Sequence, residues 1–284
     1  MTRRAKPAAK PGEQPATKAA AKSAAIATLD LRRARRLAVA KAGLLRSEAS
    51  SLPRRAAGSG RRAREAALSV IDRFGYLQLD TVSVAGARSH SLVLLSRLEG
   101  IDPTLGEALL RPGEPVFEYW GHEASWIPID LYPVFGFRRL AFRRHPWWGD
   151  LLTEHKDVAT AIVDRIRAEG PLKSVDLEGK GGAGWWNLKL TKRVANALWS
   201  SGDLAIRERR AFQRSYDLPD RVIPAEYLGR DLPRADAFEV LLLRALEGFG
   251  WATTSTLGQT WRLRNAKGDI DAALRRPCPR DRPT

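Results

Sequence analysis

The chain has 284 residues, 44% of them apolar, enough to build one large core or two to three smaller ones. Lys and Arg outnumber Asp and Glu 48 to 32, and this net charge of +16 recurs along the chain instead of sitting in one tail, so nucleic acid is the leading partner. No apolar run approaches the length of a spanning helix and no lipidation signal is present, which argues against a membrane; the lone Cys278 excludes an internal disulfide, a cysteine-based zinc site and a four-cysteine iron–sulfur cluster, and fits a reducing cytoplasm.

The opening segment, 1–28, is Ala, Lys and Pro with almost no large apolar side chain, so it reads as a disordered basic tail. Attraction to phosphate and simple solubilisation are its two readings. Helical spacing of Leu31, Ala34, Leu37, Ala38 and Leu45 predicts a first helix over 29–44, followed by a Pro/Gly/Ser loop over 51–60. A second helix, over 61–74, aligns Ala63, Ala67, Val70, Ile71 and Phe74 on one stripe and delivers the chain to Leu77-Gln78-Leu79-Asp80. Alternate residues of a strand share a face at roughly 6.5–7 Å, so with Leu77 and Leu79 inward, Gln78 and Asp80 point out together. Taken alone, that pair is an ordinary polar edge. Residues 89–98 read as a buried helix punctuated by Arg88, His90 and Arg97, and 116–126 as aromatic and strand-like.

A cadence then appears twice. An amphipathic helix over 158–169 is stopped by Gly170-Pro171, Ser174 caps a short helix through 177, and a third helix over 188–201 leads to a strand from 203 that returns through Phe212 to Asp217. Three helices and a two-stranded wing make a winged helix-turn-helix. Its third helix carries Lys189, Lys192 and Arg193 and its wing Arg207, Arg209, Arg210 and Arg214, the positions such a module turns toward DNA. The cadence restarts at 237–248 and 254–258, but the next helix, 269–275, runs into Arg276-Pro277-Cys278-Pro279-Arg280, which can neither continue a helix nor form a wing. The fold expected is mainly α with small β wings, an α+β class of tandem winged helix-turn-helix domains. The division is a 1–28 tail, a first winged helix with the catalytic strand at 29–150, a second at 151–230 and an incomplete third at 231–284. In that incomplete unit the stripe Phe238, Leu241, Leu242, Ala245 and Leu246 is expected to lack its cover, as in a truncated chain.

An ordered series of short motifs spans the chain from about 31 to 263: Leu77-Gln78-Leu79-Asp80-Thr81-Val82-Ser83-Val84; Arg88; Ser96-Arg97-Leu98; Phe117-Glu118-Tyr119-Trp120-Gly121-His122-Glu123-Ala124; His145-Pro146-Trp147-Trp148-Gly149; Gly184-Trp185-Trp186-Asn187; Lys192-Arg193; and Tyr216-Asp217-Leu218-Pro219-Asp220-Arg221-Val222-Ile223-Pro224. In this order they resemble the AlkZ/YcaQ-type winged-helix DNA glycosylases. The resemblance implies tandem winged helices closed by a C-terminal β-barrel, removal of N7-alkylated purines, and unhooking of interstrand crosslinks. The family's motif of Gln, an aliphatic residue, then Gln or Asp falls on Gln78-Leu79-Asp80, in the Asp form typical of the YcaQ branch. Two departures stand out: no barrel follows Leu263, which bears on activity, and Ser91 follows His90 where a second His is expected.

Chemically, an N7-alkylated purine leaves as a neutral base, so the barrier is the oxocarbenium-like sugar and the arrival of water. Asp80 would stabilise that charge and accept the water's proton, with Gln78 orienting the water. Arg88, His90, Arg97, Trp120 and His122 join the basic positions above as candidate contacts to double-stranded DNA. Trp147, Trp148, Trp185 and Trp186 read as packing, and neither His145 nor His155 has a partner at metal-ligand spacing; no cofactor is called for. A cytoplasmic, nucleoid-associated monomer is expected. The alternatives are a non-catalytic winged-helix DNA-binding protein or regulator, and a truncated, inactive family member.

Overall fold

The structure, a computed structural model, describes residues 28–80, 82–84, 86–177 and 185–276, with the side chains of 47, 83, 84 and 185–189 outside the described set. The expected tail thus lies almost wholly outside it, as do Cys278 and the Gly-rich loop at 178–184. Helix α1 (Leu31–Lys41) starts where the Asp30 carboxylate accepts the Arg33 N–H at 2.9 Å, one of the four amides a helix start leaves unpaired. It stops at Lys41, short of the expected 44. A single turn, α2 (Ser47–Ser50), and strand β1 (Arg55–Gly58) lead into α3 (Arg61–Phe74), which spans the expected residues and buries Ala63, Ala66, Ala67, Val70 and Ile71. Gly75 ends α3 with φ 78°, and a Cβ there would meet the Trp261 ring at 2.8 Å, so glycine is required for both conformation and space.

Strand β2 (Leu77–Gln78) is half the expected length, although the Leu79 N–H still donates to the Ala124 carbonyl at 2.8 Å before Asp80 leaves the ladder. After the small hairpin of β3 (Ser83–Val84) and β4 (Ala87–Arg88) comes α4 (Ser89–Leu95); β5 (Glu99–Ile101) then pairs parallel with β1. A 3-10 turn at Pro103–Glu107 precedes β6 (Val116–Trp120) and β7 (Ala124–Pro128), the two halves of the expected strand-like region. The antiparallel order β2–β7–β6 sets Gln78 opposite Ser125 and Glu118 opposite Trp126.

A 3-10 segment at Ile129–Phe135 continues into α5 (Gly136–Ala141), α6 (Leu151–Glu154) and α7 (Lys156–Glu169). Strand β8 (Leu172–Lys173), α8 (Trp185–Ser201), β9 (Ala205–Arg210) and β10 (Gln213–Asp217) follow, the strands ordered β8–β10–β9. The short helix expected at 174–177 is instead a turn, because the Asp176 carboxylate takes the Lys173 N–H at 2.9 Å and offers the backbone a local alternative to the helix. One turn, α9 (Pro219–Val222), leads to α10 (Arg234–Phe249), α11 (Thr254–Thr260), capped by the Thr253 hydroxyl, and α12 (Lys267–Arg275).

Among the described residues helices thus predominate over four small sheets, an α+β arrangement. One apolar cluster among the described residues runs from Ala56 to Ala273. The uncovered stripe expected on α10 is corrected here: Phe238, Leu241, Leu242 and Ala245 are buried against α3, α12 and the 129–135 segment, and only Leu246 is exposed. Trp261, fully buried, fills the gap and donates its indole N–H to the Leu241 carbonyl at 2.7 Å. Burying a large apolar side chain of this kind stabilises by about 1.5–3 kcal/mol, so residues 234–275 are tied into the common core.

Candidate active site

Gln78 is exposed at the edge of the β2–β7–β6 sheet, with Asp80 half-buried just beyond it. The Asp80 carboxylate folds back to accept the Val82 N–H at 2.9 Å, a local turn that fixes one oxygen. Its other oxygen has no partner among the described residues. Near enough for the Asp80 charge to act on His90 lies a partly buried cluster built from three elements. Arg88, at the end of β4, donates to Glu107 at 2.7 Å; His90, on α4, is fully buried with Nε2 at 3.4 Å from the same carboxylate. Glu107 is held there because Ser91 packs directly on Gly106, where a Cβ would collide with the Ser91 side chain. Ser91, where the resemblance leads to a second histidine, is buried at this close contact of α4 with the 103–107 turn.

The lid of this cluster is the tip of the β9–β10 hairpin. Ala211 and Phe212 turn with φ 47° and 62°, which directs the Phe212 ring between the guanidinium groups of Arg88 and Arg209, at 4.2 and 4.3 Å. Burial holds the His90 imidazole below its ordinary pKa; Glu107 pulls the other way, Arg88 and Arg209 push further down, and the Asp80 charge pulls up. His90 is therefore neutral near pH 7, and neither ring nitrogen has a hydrogen-bond partner among the described residues.

Arg209 and Arg214 do not face solvent. Both close on Glu118, which is fully buried in the middle of β6: Arg209 grips it with two bonds of 2.7 Å and Arg214 adds a third at 2.7 Å. Burial alone would raise the Glu118 carboxyl, and the two guanidiniums more than offset it, leaving it below its usual range. The expectation that these two arginines turn toward DNA is corrected on that ground. Arg207 pairs with Asp217 at 3.1 Å and is partly exposed; Arg210 is exposed, with Glu208 at 2.8 Å.

The other expected contacts scatter. Arg97 donates to the Ala42 and Val93 carbonyls and covers the Phe74 ring, which ties α4 to α1. Trp120 donates to the Ser200 hydroxyl at 2.9 Å and packs on Trp199, a packing role. His122, at the β6–β7 tip, bonds the Gln259 carbonyl through Nδ1 at 2.9 Å. Arg193 is exposed on α8 over Trp148, Lys192 is exposed beside it, and the Lys189 side chain lies outside the described residues. His145 is buried and stacks on Trp148 with centroids 4.1 Å apart; burial pushes its pKa down to about 4.

Glu107, Phe212 and the partnership around Glu118 escaped the sequence reading. One signal was present: a glutamate inside the apolar run Val116-Phe117-Glu118-Tyr119-Trp120 must find buried cations once that strand is covered.

Compared with known proteins, residues 71–278 match the model of the family described as DNA glycosylase AlkZ-like, more than half of the chain. Among solved structures, the DNA glycosylase AlkZ of Streptomyces sahachiroi aligns with a TM-score of 0.49 and 16% identity, over 83% of this chain and 64% of that one. The chain thus spans less than two thirds of that protein's length. By the extent of the family match, the chain belongs to the AlkZ-like DNA glycosylases.

Proposed function

We propose that the protein hydrolyses the N-glycosidic bond of N7-alkylated purines in double-stranded DNA, including purines held in interstrand crosslinks, with Asp80 and Gln78 as the catalytic pair. The observation that carries this reading is the state of Asp80: half-buried at a strand end, one oxygen fixed by the Val82 N–H and the other without a partner among the described residues. A carboxylate so held is preorganised for positive charge developing on a sugar, because no reorganisation is needed as that charge appears.

The bond between C1′ and the base nitrogen breaks with its electron pair passing to the purine, which neutralises the cation created by alkylation. Asp80 faces the resulting oxocarbenium, a water held by Gln78 attacks C1′, and the water's proton passes to Asp80 and then to solvent. Both side chains reach solvent at a sheet edge, which supports an open site. That matters for a crosslinked nucleotide, which its partner strand prevents from rotating into a deep pocket.

Around this centre we read winged-helix units at 29–150 and 151–230 and an incomplete third at 231–284, acting as a monomer. Exposed Arg193, Lys192 and Arg210, with the partly exposed Arg207 and with Lys189, serve as phosphate contacts that position the duplex without reading sequence.

The test is single-turnover release of N7-methylguanine from duplex DNA by the purified 284-residue chain and by Asp80→Asn. Release by the parent chain and a loss of about a hundredfold or more in the variant, with DNA affinity kept, are expected. DNA binding without any base release would instead favour a non-catalytic DNA-binding protein.

A further inference from the structure

A groove of about 650 Å³ runs between the α11–α12 turn and the tip of the β6–β7 hairpin. Through His122, Arg262 and Arg264, which line both, it continues into a recess of about 100 Å³ bounded by Trp120, His145 and Trp147. Its charge is lopsided. Arg264 and Lys267 are exposed on its wall and have no acidic partner among the described residues, whereas Arg262 is paired with Glu123, Arg234 with Asp269 at 2.9 Å and Arg143 with Asp203 at 3.4 Å. At the far end Trp147 leaves 52% of its surface to solvent, its ring set edge-on to Trp120 with centroids 5.4 Å apart and planes at 85°. Unpaired cations followed by an exposed aromatic face suit a nucleic-acid strand, since cations track phosphates and any base can stack on the ring.

The position of the groove gives that chemistry a use. Strand β7 ends in the hairpin tip on one side and holds the candidate catalytic strand on the other, through the Leu79 N–H to the Ala124 carbonyl and the Gln78–Ser125 pairing. The geometry points to a track for the DNA strand that flanks the target nucleotide: Arg264 and Lys267 hold its phosphates, and Trp147 stacks on one of its bases. This rests on the glycosylase reading above and extends it to a surface, formed by α11, α12 and the 145–149 turn, that lies apart from the β9–β10 hairpin.

The experiment is fluorescence anisotropy with undamaged duplex and with single-stranded DNA, across a salt series, for the parent chain, Arg264→Glu/Lys267→Glu and Trp147→Ala. The charge-reversed chain is expected to bind both DNAs at least tenfold more weakly, with a salt slope shallower by about two. Trp147→Ala is expected to lose about fivefold or more on the single strand with its salt slope unchanged. Arg264 and Lys267 are at the surface, so unaltered thermal melting accompanies their reversal; Trp147→Ala, which also gives up ring contacts with Trp120 and His145, is assayed well below its own melting temperature. Parent-like affinity and salt slope in the charge-reversed chain overturns the track, and parent-like single-strand affinity in Trp147→Ala overturns the stacking role. Base release by the parent chain is scored separately: its absence alongside these binding losses removes the glycosylase reading and leaves the groove standing.

Discussion

The Phe212 ring lies stacked on the His90 imidazole, with centroids 5.5 Å apart and 15° between the planes. A residue from a hairpin tip thus seals a histidine that is separated from it by more than a hundred positions in sequence, beside the candidate catalytic aspartate. Phe212→Ala should admit water to His90, and the imidazole, held down chiefly by burial, should titrate at higher pH. Removing a half-buried ring also costs cation–π contact with two guanidiniums, so a stability loss of about 1–3 kcal/mol accompanies the change. Following the His90 resonance through an NMR pH titration checks this; an unmoved midpoint would show that Phe212 does not seal the cluster.

Gln78 pairs with Ser125 through its backbone, while its exposed side chain makes no hydrogen bond among the described residues. Gln78→Ala should leave the urea midpoint within about 0.5 kcal/mol of the parent while slowing single-turnover base release about tenfold or more. Equal losses in DNA affinity and rate would assign Gln78 to binding instead.

Glu118 joins β6 to the β9–β10 hairpin. Glu118→Ala leaves Arg209 and Arg214 buried without their anion, for which about 3–5 kcal/mol of destabilisation is expected in urea unfolding. Arg210→Glu, at an exposed position, should leave stability nearly unchanged and weaken binding to undamaged DNA. A small effect at Glu118 would mean the hairpin is held by other contacts.

Stability should fall with acid in a defined window. The folded-state pKa of His145 is pushed down to about 4 by burial, below the ordinary imidazole value near 6.5, so the unfolded chain binds the extra proton first. The contribution is complete above about pH 6.5 and is lost as the pH falls toward about 4. His90 acts in the same direction, and Glu118, with its lowered carboxyl, adds a loss at still lower pH. Urea midpoints at about pH 7 and about pH 5 test this, and equal values would contradict the buried, neutral histidines.

The α3 stripe, the 234–249 helix and the β9–β10 hairpin were legible in the sequence because each is a local pattern: apolar spacing, a glycine stop, a basic run broken by a turn. So was the Gln78-Leu79-Asp80 strand, since alternation along a strand is set by backbone geometry. Contacts between elements were not legible in the same way. Two of the four wing arginines, Arg209 and Arg214, look DNA-facing by their place in a motif yet are buried by the packing of the β9–β10 hairpin on β6, where Glu118 demands two cations. The α10 stripe looks uncovered when only its own unit is considered, yet α3 and Trp261 cover it from far along the chain. The sequence by itself determined most of the elements and the basic charge, because spacing and composition are local quantities, and its resemblance to a glycosylase family marked the candidate pair. Only the tertiary structure decided which charges are spent inside the protein and which are left at its surface, because desolvation depends on what each side chain is packed against.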